Sequence, residues 1–270
     1  MYDDLSLTAP RGGSAGIKTV LTLLLVMVLA ACSANGNPTD PNGPTPTDPT
    51  PSVAEPYVAK GRVVDASGAP LPNVEVFADN TAYYNMNLYG VSDATGAYRI
   101  ELGGITPSSW RVGAYIDVVY NGVALSWPLH PDPDQPFAGI DGAVVDLTWL
   151  MTGEAPDGRY YGGPVFVYED LDADTWIDDL DLVELTFVPL APLLDGSQGT
   201  SSVRMLAGGT VEDVAITRYE VAARYLVPQG EPVDLLIRVR NGGAFGPSVH
   251  ADFLDDGYGG LHMELEVRLP

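Results

Sequence analysis

The chain has 270 residues, with 36 acidic side chains against 13 basic ones and a formal net charge of −23. That balance offers no basic face for phosphates, which excludes nucleic acid as a partner, and it argues against a polybasic membrane patch. A single cysteine excludes an intramolecular disulfide, so stability rests on apolar packing.

Arg11 and Lys18 precede an apolar stretch, Val20 to Val28, interrupted only by Thr22. Leu29-Ala30-Ala31-Cys32 follows. A basic region, a short apolar region and small residues at a cleavage point form the layout of a secretory signal. The apolar run is about a dozen residues, whereas a spanning helix needs roughly twenty. The junction resembles the lipobox of bacterial lipoproteins. The resemblance implies cleavage before Cys32, lipid attachment to its thiol, and a mature chain anchored in the cell envelope. Ser33, in place of Asp, implies the outer membrane or cell surface. Asp3 and Asp4 are unusual in such a leader and point to a working start nearer Arg11. Removing residues 1–31 removes Asp3, Asp4, Arg11 and Lys18, so the charge of the rest stays at −23. Gly12-Gly13-Ser14-Ala15-Gly16 matches a nucleophile elbow by letter only, because it lies in the leader and not at a strand-to-helix turn.

Residues 33–56 carry seven prolines and almost no apolar side chains, which precludes a packed core. Pro-Thr-Asp-Pro occurs twice, at 38–41 and 46–49. In an extended polyproline conformation, at about 3.1 Å per residue, this tether spans on the order of 70 Å.

About 215 residues follow, enough for two small domains or one large one. From Tyr57 the sequence becomes short alternating runs separated by Gly, Pro, Asn and Asp. Gly61 to Asp65 and Asn73 to Ala78 flank a turn at Ala66-Ser67-Gly68-Ala69-Pro70. Ala97 to Leu102 places Tyr98, Ile100 and Leu102 on one face. Trp110 to Ile116 aligns Trp110, Val112, Ala114 and Ile116 in the same way. Residues 79–90, rich in Tyr and Asn, read as a polar insertion. Repeated short strands with turn signals predict an all-β fold of antiparallel sandwiches.

Gly61-x-Val63-x-Asp65-x-x-Gly68-x-Pro70-Leu71-x-x-Val74-x-Val76, followed by Ser92-Asp93-x-x-Gly96-x-Tyr98-x-Ile100-x-Leu102, resembles the carboxypeptidase regulatory-like family. The resemblance implies a transthyretin-like sandwich over roughly residues 57–130 and an accessory module without catalytic residues. Thr152 to Gly158 reads as a junction. Beyond it, Gly163 to Tyr168, Leu182 to Val188, Thr217 to Tyr225, Val233 to Val239 and Met263 to Leu269 read as strands. Arg218-Tyr219-x-Val221-x-Ala223 echoes Ala97-Tyr98-x-Ile100-x-Leu102 and hints at a second sandwich of the same kind. The expected organisation is a leader over 1–31, a lipidated cysteine and linker over 32–56, and β-sandwiches over 57–153 and 154–270.

Chemistry is sparse in this sequence. His130, His250 and His262 form no His-Glu-x-x-His arrangement, and no phosphate-binding Gly loop is present. Carboxylates are too abundant for any pair to be informative. No enzyme is expected. Asp170, Asp172, Asp174, Asp178 and Asp181 do occupy positions 1, 3, 5, 9 and 12 of a twelve-residue window, the oxygen-ligand spacing of a calcium loop. Against it, Thr175 stands where the sharp turn wants Gly, and strand formers follow. Calcium is therefore an open expectation at this loop, and no other cofactor is indicated. Tyr83 and Tyr84 are candidate ligand-binding residues, because exposed aromatic rings stack on sugars. The sequence thus points to a non-catalytic, lipid-anchored surface module for adhesion, scaffolding or binding of a protein or glycan. The alternative is a carbohydrate-binding accessory module.

Overall fold

A computed structural model describes residues 53–104, 109–255, 257 and 260–270. The leader, Cys32 and the tether as far as residue 52 lie outside the described residues. No α-helix occurs among the described residues, and no helix there is long and apolar enough to cross a membrane.

The first ten strands are β1 (Val58–Asp65), β2 (Glu75–Asn80), β3 (Asn87–Val91), β4 (Ala97–Glu101), β5 (Ser109–Tyr120), β6 (Val123–Pro128), β7 (His130–Asp132), β8 (Phe137–Ala138), β9 (Ala143–Val144) and β10 (Asp146–Trp149). One sheet runs β4-β1-β10-β7, with β9 also on β1. The other runs β3-β2-β5-β6, with β8 on β5. Alternation drives their apposition. Ala59, Val63, Ile100 and Leu147 from one sheet meet Val76, Ala78, Trp110, Val112 and Ala114 from the other in one buried cluster. The Tyr98 hydroxyl donates to the Val145 carbonyl at 2.6 Å, which lets a buried phenol keep its polar end paired.

The second ten are β11 (Gly163–Glu169), β12 (Val183–Pro189), β13 (Ser202–Met205), β14 (Thr210–Val214), β15 (Tyr219–Tyr225), β16 (Val233–Asp234), β17 (Leu236–Val239), β18 (Val249–Ala251), β19 (Leu254–Asp255) and β20 (Leu261–Arg268). Their sheets run β14-β11-β20-β17 and β13-β12-β15-β16, with β19 on β20 and β18 on β15. The four-strand order of each sheet repeats that of the first sandwich, although β19 pairs with β20 where β9 pairs with β1. The pairing is antiparallel except that β1 pairs with β9 and β10, and β11 with β20, in parallel. The expected all-β fold of antiparallel sandwiches is what forms, with these parallel pairs set into one sheet of each. The repeat also corrects the sequence echo, because Ala97–Glu101 is β4 whereas Tyr219–Tyr225 holds the place of β5.

The segment read as a polar insertion contains β3. Its close partner across the sandwich rim is β4, since a Cβ on Gly90 would lie 3.0 Å from the Arg99 carbonyl oxygen. Two matched turns shape the first sandwich. Asp65 Oδ1 accepts from Ser67 N at 2.8 Å, Ser67 Oγ at 2.7 Å and Ala69 N at 2.9 Å. Asp93 Oδ1 accepts from Thr95 N at 2.8 Å, Thr95 Oγ1 at 2.7 Å and Ala97 N at 3.1 Å. Gly96 completes the second turn at φ 76°, and a Cβ there would sit 2.5 Å from the Val63 carbonyl oxygen. The residues that carry the family resemblance here are therefore turn formers. Glu55, just ahead of β1, is held by Lys60 and Arg99.

The two cores are joined by one hairpin. Asn121 and Gly122 link β5 to β6 with φ of 48° and 83°, the left-handed pair that suits a tight hairpin. Leu125 is buried among second-sandwich residues, and Val118, Tyr120, Val123 and Trp127 pack against the same cluster. The Tyr120 hydroxyl accepts from Phe253 N at 3.3 Å. The connecting segment is fixed at both ends by Asp213, whose carboxylate accepts from Gly153 N at 2.9 Å and Gly162 N at 3.0 Å.

Two outcomes follow. Leu125→Ala should destabilise the chain by about 2–4 kcal/mol, and hydrogen exchange should speed up in β15 and β20 of the second sandwich. Exchange that quickens only in β1–β4 would disprove the shared packing. Acid should loosen the first sandwich. Hydrogen bonds from Ser67 and Thr95 hold Asp65 and Asp93 below their ordinary value of 3.8, and Lys60 and then Arg99 hold Glu55 below 4.5. Carboxylates depressed on folding stabilise fully above the ordinary value and lose that contribution as pH falls through the folded value. The melting midpoint should therefore fall as pH drops below about 4, and Asp93→Asn should flatten part of that limb.

Candidate functional site

The face of β5 opposite the cores is exposed. Phe77 lies beside Gly113 in register, and Tyr89 pairs with Phe77 on the other side. A Cβ on Gly113 would sit 2.5 Å from Phe77 Cζ, so the absence of a side chain there lets the Phe77 ring lean across β5. The ring lies nearly parallel to Tyr115, at 16°, with centroids 5.8 Å apart. Tyr89 is 58% exposed, Tyr115 is 53% exposed, and Val91 extends the surface beside Glu75. This is a continuous aromatic and apolar face in the middle of a sheet.

A groove of about 440 Å³ opens at one end of it, lined by Leu71, Asn73, Glu75, Tyr115, Asp117 and Trp149 among others. Its wall is built by local hydrogen bonds. The buried Ser92 hydroxyl donates to the Leu71 carbonyl at 2.7 Å and accepts from Val74 N at 2.9 Å, pinning the loop before β2. Asp117 accepts from Ser126 Oγ at 2.6 Å. Trp149 Nε1 is buried at this wall with no hydrogen-bond partner. The lining carries two carboxylates and no basic side chain.

Tyr83 and Tyr84, the tyrosines proposed from sequence, sit in the β2–β3 turn, at the opposite end of the hairpin from the groove. Tyr84 is fully exposed and Tyr83 is partly so. Trp110 is wholly buried in the first core, as expected, whereas Trp149 reaches the groove. Sequence reasoning missed Phe77 and Tyr115 as site residues. Their signal was present: the alternation that buries Val76, Ala78 and Ala114 must turn Phe77 and Tyr115 outward.

The acidic window lies between β11 and β12, which belong to different sheets, so it is a crossing connection and not a hairpin. Asp170 is buried, 3.4 Å from Arg268 Nη1, and accepts from Asp172 N at 3.2 Å. Asp181 accepts from Gly208 N at 2.6 Å, and Asp179 caps the 3-10 turn Leu180–Leu182. Asp172, Asp174 and Asp178 are exposed. Glu169, which was not among the proposed ligands, accepts from Ile177 N and brings that buried residue into the second core. Among the described residues, no group of three or more His, Cys, Asp or Glu side chains is gathered to hold a metal ion. Asp170 and Asp181 already serve tertiary contacts, to Arg268 and to the Gly208 amide.

His130 Nδ1 lies 3.1 Å from the Tyr161 hydroxyl, and burial pushes that phenol up to about 12. His262 packs near Phe166, and His250 is exposed on β18. The three histidines are thus dispersed.

No family model matches this chain, and comparison with characterised proteins finds no match. Among solved structures, the chain is similar to the Bacillus anthracis TIE protein at 16% identity and TM-score 0.23, covering 66% of this chain and 31% of that one. A leucine-rich repeat protein from Bacteroides thetaiotaomicron gives 11% and 0.23, with coverage of 72% and 24%. The pilus adhesin SpaC from Lactobacillus rhamnosus GG, in its open conformation, gives 11% and 0.24, with coverage of 80% and 29%. The chain spans less than a third of each of these structures, and scores this low carry no functional argument.

The loop geometry makes a graded prediction. Asp170→Ala should cost about 1–3 kcal/mol, because it leaves a backbone amide and Arg268 without their acceptor. Asp172→Ala and Asp174→Ala should each stay within about 0.5 kcal/mol. Equal losses in chemical denaturation would contradict the division of roles.

Proposed function

We propose that this chain is a non-catalytic binding module of the bacterial cell envelope. It is exported, lipidated at Cys32, and held away from the outer membrane or cell surface by the Pro/Thr tether. The observation that carries the binding role is the aromatic face of Tyr89, Phe77 and Tyr115 beside an acidic groove. Large contiguous apolar surface is uncommon on a soluble fold and marks interaction sites. The lipobox supports the anchor, and the resemblance to carboxypeptidase regulatory-like modules supports an accessory, non-enzymatic role. The partner is a protein or glycan at the cell surface.

One experiment tests both halves. The wild-type chain, expressed in a lipoprotein-processing bacterium, should enter the detergent phase and accumulate as a precursor under globomycin. Cys32→Ala should be soluble or unprocessed, and a membrane-bound variant of normal size would refute the anchor. Soluble full-length Cys32→Ala protein, added back to isolated envelopes, should be retained. Adding Phe77→Ala or Tyr115→Ala should cut that retention about tenfold, the loss expected for an aromatic anchor. Undiminished retention would refute the site.

A further inference from the structure

The aromatic face constrains its ligand by shape, charge and hydrogen-bonding capacity together. Phe77 and Tyr115 are nearly parallel at 16°, with centroids 5.8 Å apart, so they are not a cage of crossed rings. A compact ammonium is best held by a cage, whereas a planar amphipathic body is best held by stacking. Glu75 and Asp117 line the adjoining groove, and no basic side chain does. An anionic ligand is therefore repelled, more so by a chain of net charge −23. Ionised carboxylates only accept hydrogen bonds, so the ligand must be rich in donors. β2 and β5 are each paired on both sides, which leaves no free backbone edge under Phe77 and Tyr115 for an added peptide strand, and the edge strand β3 approaches β4 closely at Gly90.

We propose that Tyr89, Phe77 and Tyr115, with the groove at Glu75 and Asp117, bind an uncharged oligosaccharide chain. Pyranose rings present an apolar C–H face to stack on the aromatics and a rim of hydroxyl donors for the carboxylates and the Asn73 amide. The site is open and runs from the exposed rings into a groove, so several consecutive sugars are bound and not one enclosed monosaccharide. Trp149 lines that groove as well, and its Nε1 is buried without a hydrogen-bond partner. This assignment rests on the reading of the chain as a surface-binding module, and it names the ligand class of that same face.

The test uses the full-length chain in detergent and calorimetric titration. The probes are six-sugar β1,4-gluco, β1,4-manno, α1,4-gluco and N-acetylglucosamine oligomers, with oligogalacturonate as the anionic probe and hexalysine as the cationic one. At least one uncharged oligomer should bind saturably, and oligogalacturonate should not. Affinity should fall about tenfold or more in Phe77→Ala and Tyr115→Ala, stay within about threefold in Tyr115→Phe, and be unchanged in Tyr84→Ala. Melting curves of each variant separate lost stacking from lost folding. Because Tyr115 and Tyr89 are surface residues, Tyr89→Ala serves as the second variant if Phe77→Ala is unstable. Binding that survives all the aromatic substitutions overturns the proposal. So does hexalysine binding that is lost in Glu75→Gln but kept in Phe77→Ala, which would make this a cation surface. If no uncharged oligomer binds while envelopes still retain the protein through Phe77 and Tyr115, the glycan assignment fails and the binding-module reading stands. If neither occurs, both fail.

Discussion

One strand organises this molecule. The inward face of β5 carries Trp110, Val112, Ala114 and Ile116 into the first core, then Val118 and Tyr120 against the second. The period-two geometry of an extended chain allows this without a bend. β6 follows in register, since Trp127 pairs with Ile116, Leu125 with Val118 and Val123 with Tyr120. The same periodicity forces Gly113, Tyr115 and Asp117 to the opposite side. The junction between the sandwiches and the exposed aromatic surface are therefore two consequences of one strand. A substitution that shifted the register of β5 by one residue would bury the aromatic face and expose both cores.

The duplicated topology shows what the second sandwich keeps and what it drops. Both units place a parallel pair in the middle of one sheet, β1 with β10 and β11 with β20. A parallel pair requires a connection that leaves the sheet and returns. Here the return path is the opposite sheet, so closing each sandwich needs the whole unit to be folded. The outer face of the second unit is different in kind. Arg240 lies 3.6 Å over the Tyr168 ring and pairs with Glu264, while Arg238 and Arg268 both lie 4.3 Å from the Phe245 ring. Aromatic rings on that face are covered by guanidinium groups whose charges are matched by Glu266 and Asp170. On the first unit, among the described residues, no arginine stacks over Phe77, Tyr89 or Tyr115, although Arg159 lies within electrostatic reach of Tyr115. The aromatic cluster built on the face of a sheet and left uncovered is therefore on the first sandwich.

The longer core strands were legible because burial on one side writes a strict alternation. Val58 to Asp65, Ala97 to Glu101 and Gly163 to Glu169 emerge almost as read. β3 was hidden because both of its faces are only partly covered, and Tyr89 and Gly90 give no apolar period. The β5–β6 hairpin had a strong local signal in Asn121-Gly122, flanked by alternating apolar residues, that spacing alone did not bring out. The calcium spacing shows a different limit of reading a sequence by template. A ladder of Asp residues satisfies a ligand template by count, but each carboxylate is free to choose nearer partners. Asp170 found Arg268, nearly a hundred positions away in the chain, and Asp181 found the Gly208 amide. Those are tertiary contacts that a window of twelve residues does not contain. The aromatic face suffered from the same blindness, since Phe77 and Tyr115 meet only through pairing of β2 with β5.

An uncovered aromatic face carries a cost, since flat apolar surface also recruits other copies of the same chain. The charge of −23 sets the counterweight. Repulsion between like-charged molecules acts over about a Debye length, near 8 Å at physiological salt, which is wide enough to oppose face-to-face contact of two platforms. It does not oppose an uncharged ligand, for which the field of the protein is nearly indifferent. The acidic surplus therefore works as a filter: it discourages self-association and anionic polymers while leaving the rings open. The rim of the same sheet is guarded by a separate device, the close approach of Gly90 to the backbone of β4, which keeps that edge from templating another strand. Both protections act on routes to aggregation without covering Tyr89, Phe77 and Tyr115, which is the condition a permanently displayed binding face has to meet.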